Sequence, residues 1–330
     1  MTTLKKTILW IGGISISALC FSIGYVQLAL PNVGKAPQMT IERTPERIAR
    51  GKYLANHITL CMDCHSKRDW TRFSGPPVAG TTGMGGERFD QTLGFPGVYY
   101  SANITPKGIS RYTDGELFRI ITTGVTKEGR AIFPVMPYHY YGRMDEEDIK
   151  DIIAYLRSLP PIDNNVPSSK SDFPMNILIN TIPQKASLNT APPQSDVVHY
   201  GQYLVNAGAC MECHTKFEKG SPLKGTEFGG GREFAFPNGD IVRSSNITPD
   251  KETGIGSWTE DVFINTFHAR SDSSILSVVL KPGDFNTIMP WTMYGKMHNQ
   301  DLHAIFTYLR TIKPIKNAVN VFSVAKQKIK

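Results

Sequence analysis

CMDCH, residues 61–65, and CMECH, residues 210–214, are one uncommon five-residue word written twice in a chain of 330 residues. The likeness spreads outward from both copies. Gly51-Lys-Tyr-Leu54 stands before the first and Gly201-Gln-Tyr-Leu204 before the second. Downstream, Asn103-Ile-Thr-Pro106 returns as Asn246-Ile-Thr-Pro249, and Met136-Pro137 as Met289-Pro290. Tyr141-Gly142-Arg143-Met144 returns as Tyr294-Gly295-Lys296-Met297, and the segment 154–159 as 307–312. The order never changes, so the chain holds two homologous modules in tandem.

Each module carries helix signals. Thr44-Pro45-Glu46 reads as an N-cap followed by proline at the first helical position, opening a helix that runs toward Asn56. Thr113 with Glu116 forms a capping box ahead of Leu117, Ile120 and Ile121. A third helix starts at residues 145–148, keeps helical period through Ile149, Ile152, Ile153 and Leu156, and stops at Pro160-Pro161. Between these signals lie long glycine-rich stretches, residues 75–105 and 219–248, of the kind that wrap a ligand. The expected fold class is all-α, with each module a few helices and long loops. The boundaries read as 1–38 for an N-terminal anchor, 39–162 for domain 1, 163–195 for a Pro/Ser/Asn-rich linker, and 196–330 for domain 2. The linker contains the apolar run 173–179, which is expected to pack along the domains.

Lys5 and Lys6 precede an uncharged stretch, residues 8–30. At about 1.5 Å per residue a helix of that length reaches about 35 Å, enough for a hydrocarbon core of about 30 Å. The positive flank keeps the short N-terminus in the cytoplasm and exports the rest. No small-x-small cleavage site follows, so an uncleaved single-pass anchor is expected. Cys20 lies within the span and reads as a small buried hydrophobe. The net charge of +7 is spread without a Lys/Arg-rich run, which excludes a nucleic-acid footprint and suits docking to an acidic protein or to lipid head groups.

In Cys-x-x-Cys-His the two thiols add across the vinyl groups of a heme, and the next histidine is held under the iron. Cys61, Cys64 and His65 are therefore expected to bind one heme c, and Cys210, Cys213 and His214 a second. A zinc site would place its second cysteine pair about 15–20 residues on, not in another domain. Thiol exchange would need a βαβ context. For the sixth ligand, two methionine pairs recur. Met144 and Met297 precede the final helices, where a staple residue belongs. Met136 and Met289 each precede a proline that stiffens a loop, and they are the expected axial ligands, with His139 as rival in domain 1. His57, His199, His268, His298 and His303 have no counterpart in the other repeat and receive no role.

The CxxCH word, NITP, residues 254–259 (GIGSWT), the Met-Pro pair and the terminal Tyr-Leu-Arg helix together resemble the membrane-anchored cytochrome c subunits of bacterial periplasmic alcohol and gluconate dehydrogenases. The resemblance covers residues 45–315. It implies cytochrome c domains with His65/Met136 and His214/Met289 on the irons, and an electron carrier rather than an enzyme. Such a carrier works between a dehydrogenase or other donor and a respiratory acceptor, with its heme domains in the periplasm and its anchor in the inner membrane. The family's subunits typically carry three heme domains where this chain carries two, and Tyr112 stands where the second module has Trp258. Those two side chains either staple a helix or bond heme propionates. A diheme peroxidase reducing hydrogen peroxide is the alternative of similar length. A heme–thiolate enzyme would need an exported cysteine that the chain does not have to spare.

Overall fold

The computed structural model describes residues 3–218 and 220–325. Residues 1–2 of the anchor and the last five of domain 2 lie outside it, as do the side chains of Lys5 and Lys6. Helix α1, Thr3–Ala29, takes up nearly all of the uncharged N-terminal stretch. Its segment Trp10–Ala29 is long and apolar enough to cross a membrane.

The first module is built on α2 (Pro45–Tyr53), α3 (Asp114–Thr123) and α4 (Glu146–Ser158). The second repeats this with α5 (Val197–Ala207), α6 (Glu260–Arg270) and α7 (Asn299–Leu309). The capping signals act as read. The Thr44 side chain accepts from the Arg47 N–H, and Thr113 and Glu116 close a reciprocal box. Beyond Tyr53 the chain continues as a π-turn, Leu54–Ile58, up to the first CxxCH word. Ile149, Ile152, Ile153 and Leu156 are all buried, each contributing about 1.5–3 kcal/mol on transfer from water. Met144 and Met297 are buried in the core, where staple residues belong.

The repeated glycine before each CxxCH is explained by helix crossing. α2 packs on α4 so closely that a Cβ on Gly51 would lie 1.8 Å from the Asp151 carbonyl oxygen. On Gly201 it would lie 1.9 Å from that of Ala304.

The all-α expectation is wrong. Three antiparallel sheets occupy the glycine-rich stretches. In the first module Arg88–Phe89 pairs with Gly97–Tyr100, and Gly97–Tyr100 with Lys170–Ser171. In the second, Glu233–Ala235 pairs with Ile241–Arg243, and Ile241–Arg243 with Phe322–Ser323. A small hairpin joins Phe217–Glu218 to Ser221–Pro222. Strands of two to four residues are too short to show alternation, and the third strand of each three-stranded sheet comes from beyond the terminal helix. Neither feature leaves a periodic trace in the sequence.

The two modules dock through equivalent surfaces. The Tyr53 hydroxyl donates to Asp301 across the interface and accepts from the His298 N–H at 3.0 Å. Reciprocally, Tyr203 donates to Asp148 at 2.5 Å and accepts from the Asp145 N–H at 3.2 Å. Tyr53 and Tyr203 are the tyrosines of the repeated GKYL and GQYL words, so that word serves both helix crossing and docking. Burial, and then the aspartate each one faces, push both phenols well above their ordinary range. Asn206 donates to the Tyr140 carbonyl at 3.0 Å, and the His57 Nδ1 meets the Met293 carbonyl at the same distance.

Candidate cofactor site

Each CxxCH word forms a single helical turn, Cys61–Cys64 and Cys210–His214. Both turns are entered through a left-handed residue, Leu60 at φ 57° and Ala209 at φ 49°. No disulfide joins the four cysteines. Burial pushes their thiols up, to about 12 for Cys64 and Cys210 and about 11 for Cys213. Thiols held in the protonated form are not poised for thiol exchange. Among the described residues no three His, Cys, Asp or Glu side chains come together as a metal-ion donor set.

The histidines of the two CxxCH words are aimed in the same way in both modules. His65 Nδ1 lies 2.6 Å from the Ala102 carbonyl oxygen, and His214 Nδ1 lies 2.7 Å from that of Ser245. A carbonyl accepts only, so Nδ1 carries the proton and Nε2 keeps its lone pair for a metal. Burial lowers both imidazoles from their ordinary value, which keeps them neutral as ligation requires.

The NITP words hold those carbonyls in place. Asn103 Oδ1 accepts from the Thr105 N–H at 3.0 Å and its hydroxyl at 2.7 Å, while Asn103 Nδ2 donates to the Ile162 carbonyl at 2.8 Å. Asn246 repeats this with Thr248 at 3.0 and 2.7 Å and the Ile315 carbonyl at 2.7 Å. The words are turns, as read, but the turns pin the chain after each terminal helix and fix the residue just before them. Gly85 and Gly230, at φ +71° and +72°, complete the arrangement. Their N–H groups donate to the His65 and His214 carbonyls, and a Cβ on either would lie 2.4 Å from the Ala102 or Ser245 backbone. The histidine-orienting carbonyls were not read from the sequence; the repeated NITP one residue downstream was the signal.

All eight expected ligand residues, Cys61, Cys64, His65, Met136, Cys210, Cys213, His214 and Met289, line one continuous cavity of about 1560 Å³. The sequence suggested a separate interior for each module. The structure joins them because the two CxxCH turns begin at the docking surface, where a Cβ on Gly208 would lie 3.6 Å from the Ile58 carbonyl oxygen. Tyr112 and Trp258 line the same cavity. His139 does not: its Nε2 faces Glu212 of the other module at 3.6 Å.

The residues present fit a large apolar macrocycle bearing carboxylates. Directly after the second Met-Pro pair, Trp291 lines the cavity with its Nε1 buried and without a hydrogen-bond partner among the described residues; Tyr138 Oη, after the first pair, is likewise unpartnered but lies off the cavity lining. Arg270 lines the cavity beside Trp291, its guanidinium 4.8 Å from the ring centre, with no carboxylate paired to it among the described residues. Arg270 is itself exposed, so it offers a cation to an anion in the cavity without requiring one. The acidic third residue of each CxxCH word is already paired, Asp63 with Arg68 at 2.8 Å and Glu212 with Arg232 at 2.9 Å.

No family model matches the chain. It is 26% identical over 298 residues to the cytochrome c subunit of the quinone alcohol dehydrogenase of Gluconacetobacter polyoxogenes, a match covering 86% of this chain and 59% of that protein. It is 28% identical over 311 residues to the fructose dehydrogenase cytochrome subunit of Gluconobacter japonicus, covering 86% and 57%. It is 29% identical over 236 residues to a diheme cytochrome c-type protein of Cereibacter sphaeroides, covering 62% and 75%. In class, then, the chain is similar to c-type cytochromes. More particularly, it is similar to the cytochrome c subunits of bacterial dehydrogenases, and the resemblance expected from its motifs is borne out. The chain spans somewhat more than half the length of those dehydrogenase subunits.

Proposed function

We propose that this chain is an electron carrier holding two hemes c, one in each of domains 39–162 and 196–330. Cys61 and Cys64 would bind the first covalently, with His65 and Met136 on its iron. Cys210 and Cys213 would bind the second, with His214 and Met289 on its iron. The observation that carries this reading is the pairing of two equivalent CxxCH turns, each with its histidine aimed by a backbone carbonyl, in one apolar cavity.

When bound, the hemes supply reversible one-electron chemistry. The protein's own residues do the rest. The carbonyls of Ala102 and Ser245 hold the imidazoles in one tautomer and one orientation. The Met-Pro loops offer thioethers from the same cavity, and a thioether ligand raises the potential. Trp291 and Arg270, which line the cavity, offer donors to the carboxylates. Methionine at both irons suits a carrier, and it does not favour the peroxide-reducing alternative, which needs one iron open.

The partners that fit are a dehydrogenase as donor and a respiratory protein as acceptor, in keeping with the names of the relatives. The α1 helix would anchor the chain in the inner membrane and leave both modules in the periplasm, where tethering raises their concentration near a membrane-bound partner. The test is to denature the purified protein, extract it with acid acetone and measure its mass. Two heme masses retained on the polypeptide are expected; a colourless chain of unmodified mass overturns the proposal.

A further inference from the structure

The sixth-ligand loop of the second module is not held by that module alone. Residues 70–75 of the first module reach across to it. Ser74 is buried, with 1% of its surface exposed, and its hydroxyl donates to the Met289 carbonyl at 2.6 Å. The same oxygen accepts from the Trp291 N–H at 3.1 Å, so one hydroxyl brackets the Met289-Pro290 pair. The Ser74 N–H donates to Asn286 Oδ1 at 2.9 Å, and that oxygen also accepts from the Thr287 N–H at 2.8 Å. On either side, the Leu280 N–H donates to the Thr71 carbonyl at 2.9 Å and Arg72 donates to the Ser277 carbonyl at 2.7 Å.

Two further observations mark this contact as selective. Ser74 sits at φ +63°, a left-handed conformation that is strained for a residue with a Cβ and that glycine adopts freely. The hydroxyl, not the backbone, is what serine adds there. The first module has no such brace: among the described residues the Met136 carbonyl accepts only from the Tyr138 N–H.

We propose that Ser74 is a positioning residue for the Met289 loop, so that one module sets how firmly the other's iron keeps its sixth ligand. This rests on Met289 being that ligand. The test uses full-length protein with both hemes attached and follows imidazole displacing methionine from ferric iron, a reaction gated by loop opening. Ser74→Ala and Ser74→Gly should each accelerate exchange at one heme about tenfold, the effect of losing one or two hydrogen bonds, and leave the other heme unchanged. Glycine relieves the backbone, so acceleration in both variants assigns the effect to the hydroxyl. The fast phase should persist on a Met136→Ala background, which assigns it to the second module. Unchanged exchange, or equal acceleration at both hemes, overturns the proposal. If Met289→Ala leaves the methionine–iron absorption of both hemes intact, the ligand assignment itself fails and takes the proposal with it.

A different observation concerns the linker. Its apolar run does not pack fully on the domains as expected: Phe173 is 80% exposed and Leu178 46%. The one-turn helix Met175–Leu178 and the turn Ile179–Thr181 instead lie along the last turns of α1, where Asn180 Nδ2 approaches the Val26 carbonyl at 3.4 Å. Tyr25 and Leu28, in the same last turns of α1, are exposed as well. We infer that residues 173–182 are a second lipid contact, lying in the head-group boundary and holding the first module against the bilayer. This rests on α1 spanning the membrane. A nitroxide is placed at Leu178→Cys or, as control, at exposed Lys251→Cys, on a Cys20→Ser background in the full chain in phospholipid vesicles. The Leu178 label should be relaxed by oxygen and shielded from a water-soluble nickel chelate, and the control label the reverse. Vesicle-bound protein with a water-exposed Leu178 label overturns this contact alone. Protein that does not float with vesicles overturns the anchor and the contact together.

Discussion

Asn103 accepts two hydrogen bonds from Thr105 and donates one to the Ile162 carbonyl, all within a turn whose preceding carbonyl aims His65. Asn103→Ala should cost about 2–3 kcal/mol, at about 1 kcal/mol per bond, measured by denaturant unfolding. It should also shift the midpoint potential of the first heme and leave the second in place, because the imidazole loses its fixed acceptor. A stability loss with both potentials unchanged would remove the orienting role from the turn. His57 illustrates what a single-residue reading misses. It has no partner in the repeat, yet it sits at the docking surface against the Met293 carbonyl. Burial holds it below its ordinary value of 6.5, with Lys296, His298 and Lys52 adding to the effect and the Met293 carbonyl opposing it. The unfolded chain therefore takes up its proton first as pH falls. Stability is whole above about 6.5, declines below it, and levels off beneath the folded value. His57→Gln should flatten that decline in unfolding curves measured across the range; an unaltered slope would assign it to other groups.

The crossing of α2 on α4, and of α5 on α7, depends on one absent methyl group in each pair. Gly51→Ala or Gly201→Ala drives a carbon into a backbone carbonyl oxygen that no rotamer change can move. Each should cost about 3 kcal/mol in unfolding and lower heme retention in its own module first. Near-native stability in either variant would show that the helices can slide apart without loss. The helices themselves were legible because caps and period are local. Thr113 with Glu116, and the run from Ile149 to Leu156, specify start and buried face within a few residues. The sheets were not legible. Val98 pairs with Lys170 across α3 and α4, and Val242 with Phe322 across α6 and α7, and glycine-rich sequence alone cannot distinguish such pairing from a plain loop.

The modules meet as near-equivalent halves, and the two Tyr–Asp pairs are the polar centre of that contact. Tyr203→Phe leaves Asp148 with Arg50, and Tyr53→Phe leaves Asp301 with Tyr200. Each change should cost about 1–2 kcal/mol rather than the larger penalty of an unpaired buried carboxylate. The double variant should separate one cooperative unfolding transition into two, followed by calorimetry. A single sharp transition in the double variant would mean that apolar contacts alone hold the halves together. Because the cavity crosses this interface, loosening it should alter the spacing of the two heme potentials as well.

The sequence by itself determined the tandem repeat, the paired CxxCH words, the helices and the likeness to dehydrogenase cytochrome subunits, since each is written in residues close together along the chain. Only the tertiary structure decided the β-sheets, the carbonyls that aim the histidines, the merging of two interiors into one cavity, and the brace from Ser74 to the Met289 loop. These depend on backbone groups and on residues up to 217 positions apart, as in the bond from Trp291 to Ser74. A backbone carbonyl has no letter of its own, and contact at that separation leaves no period to read.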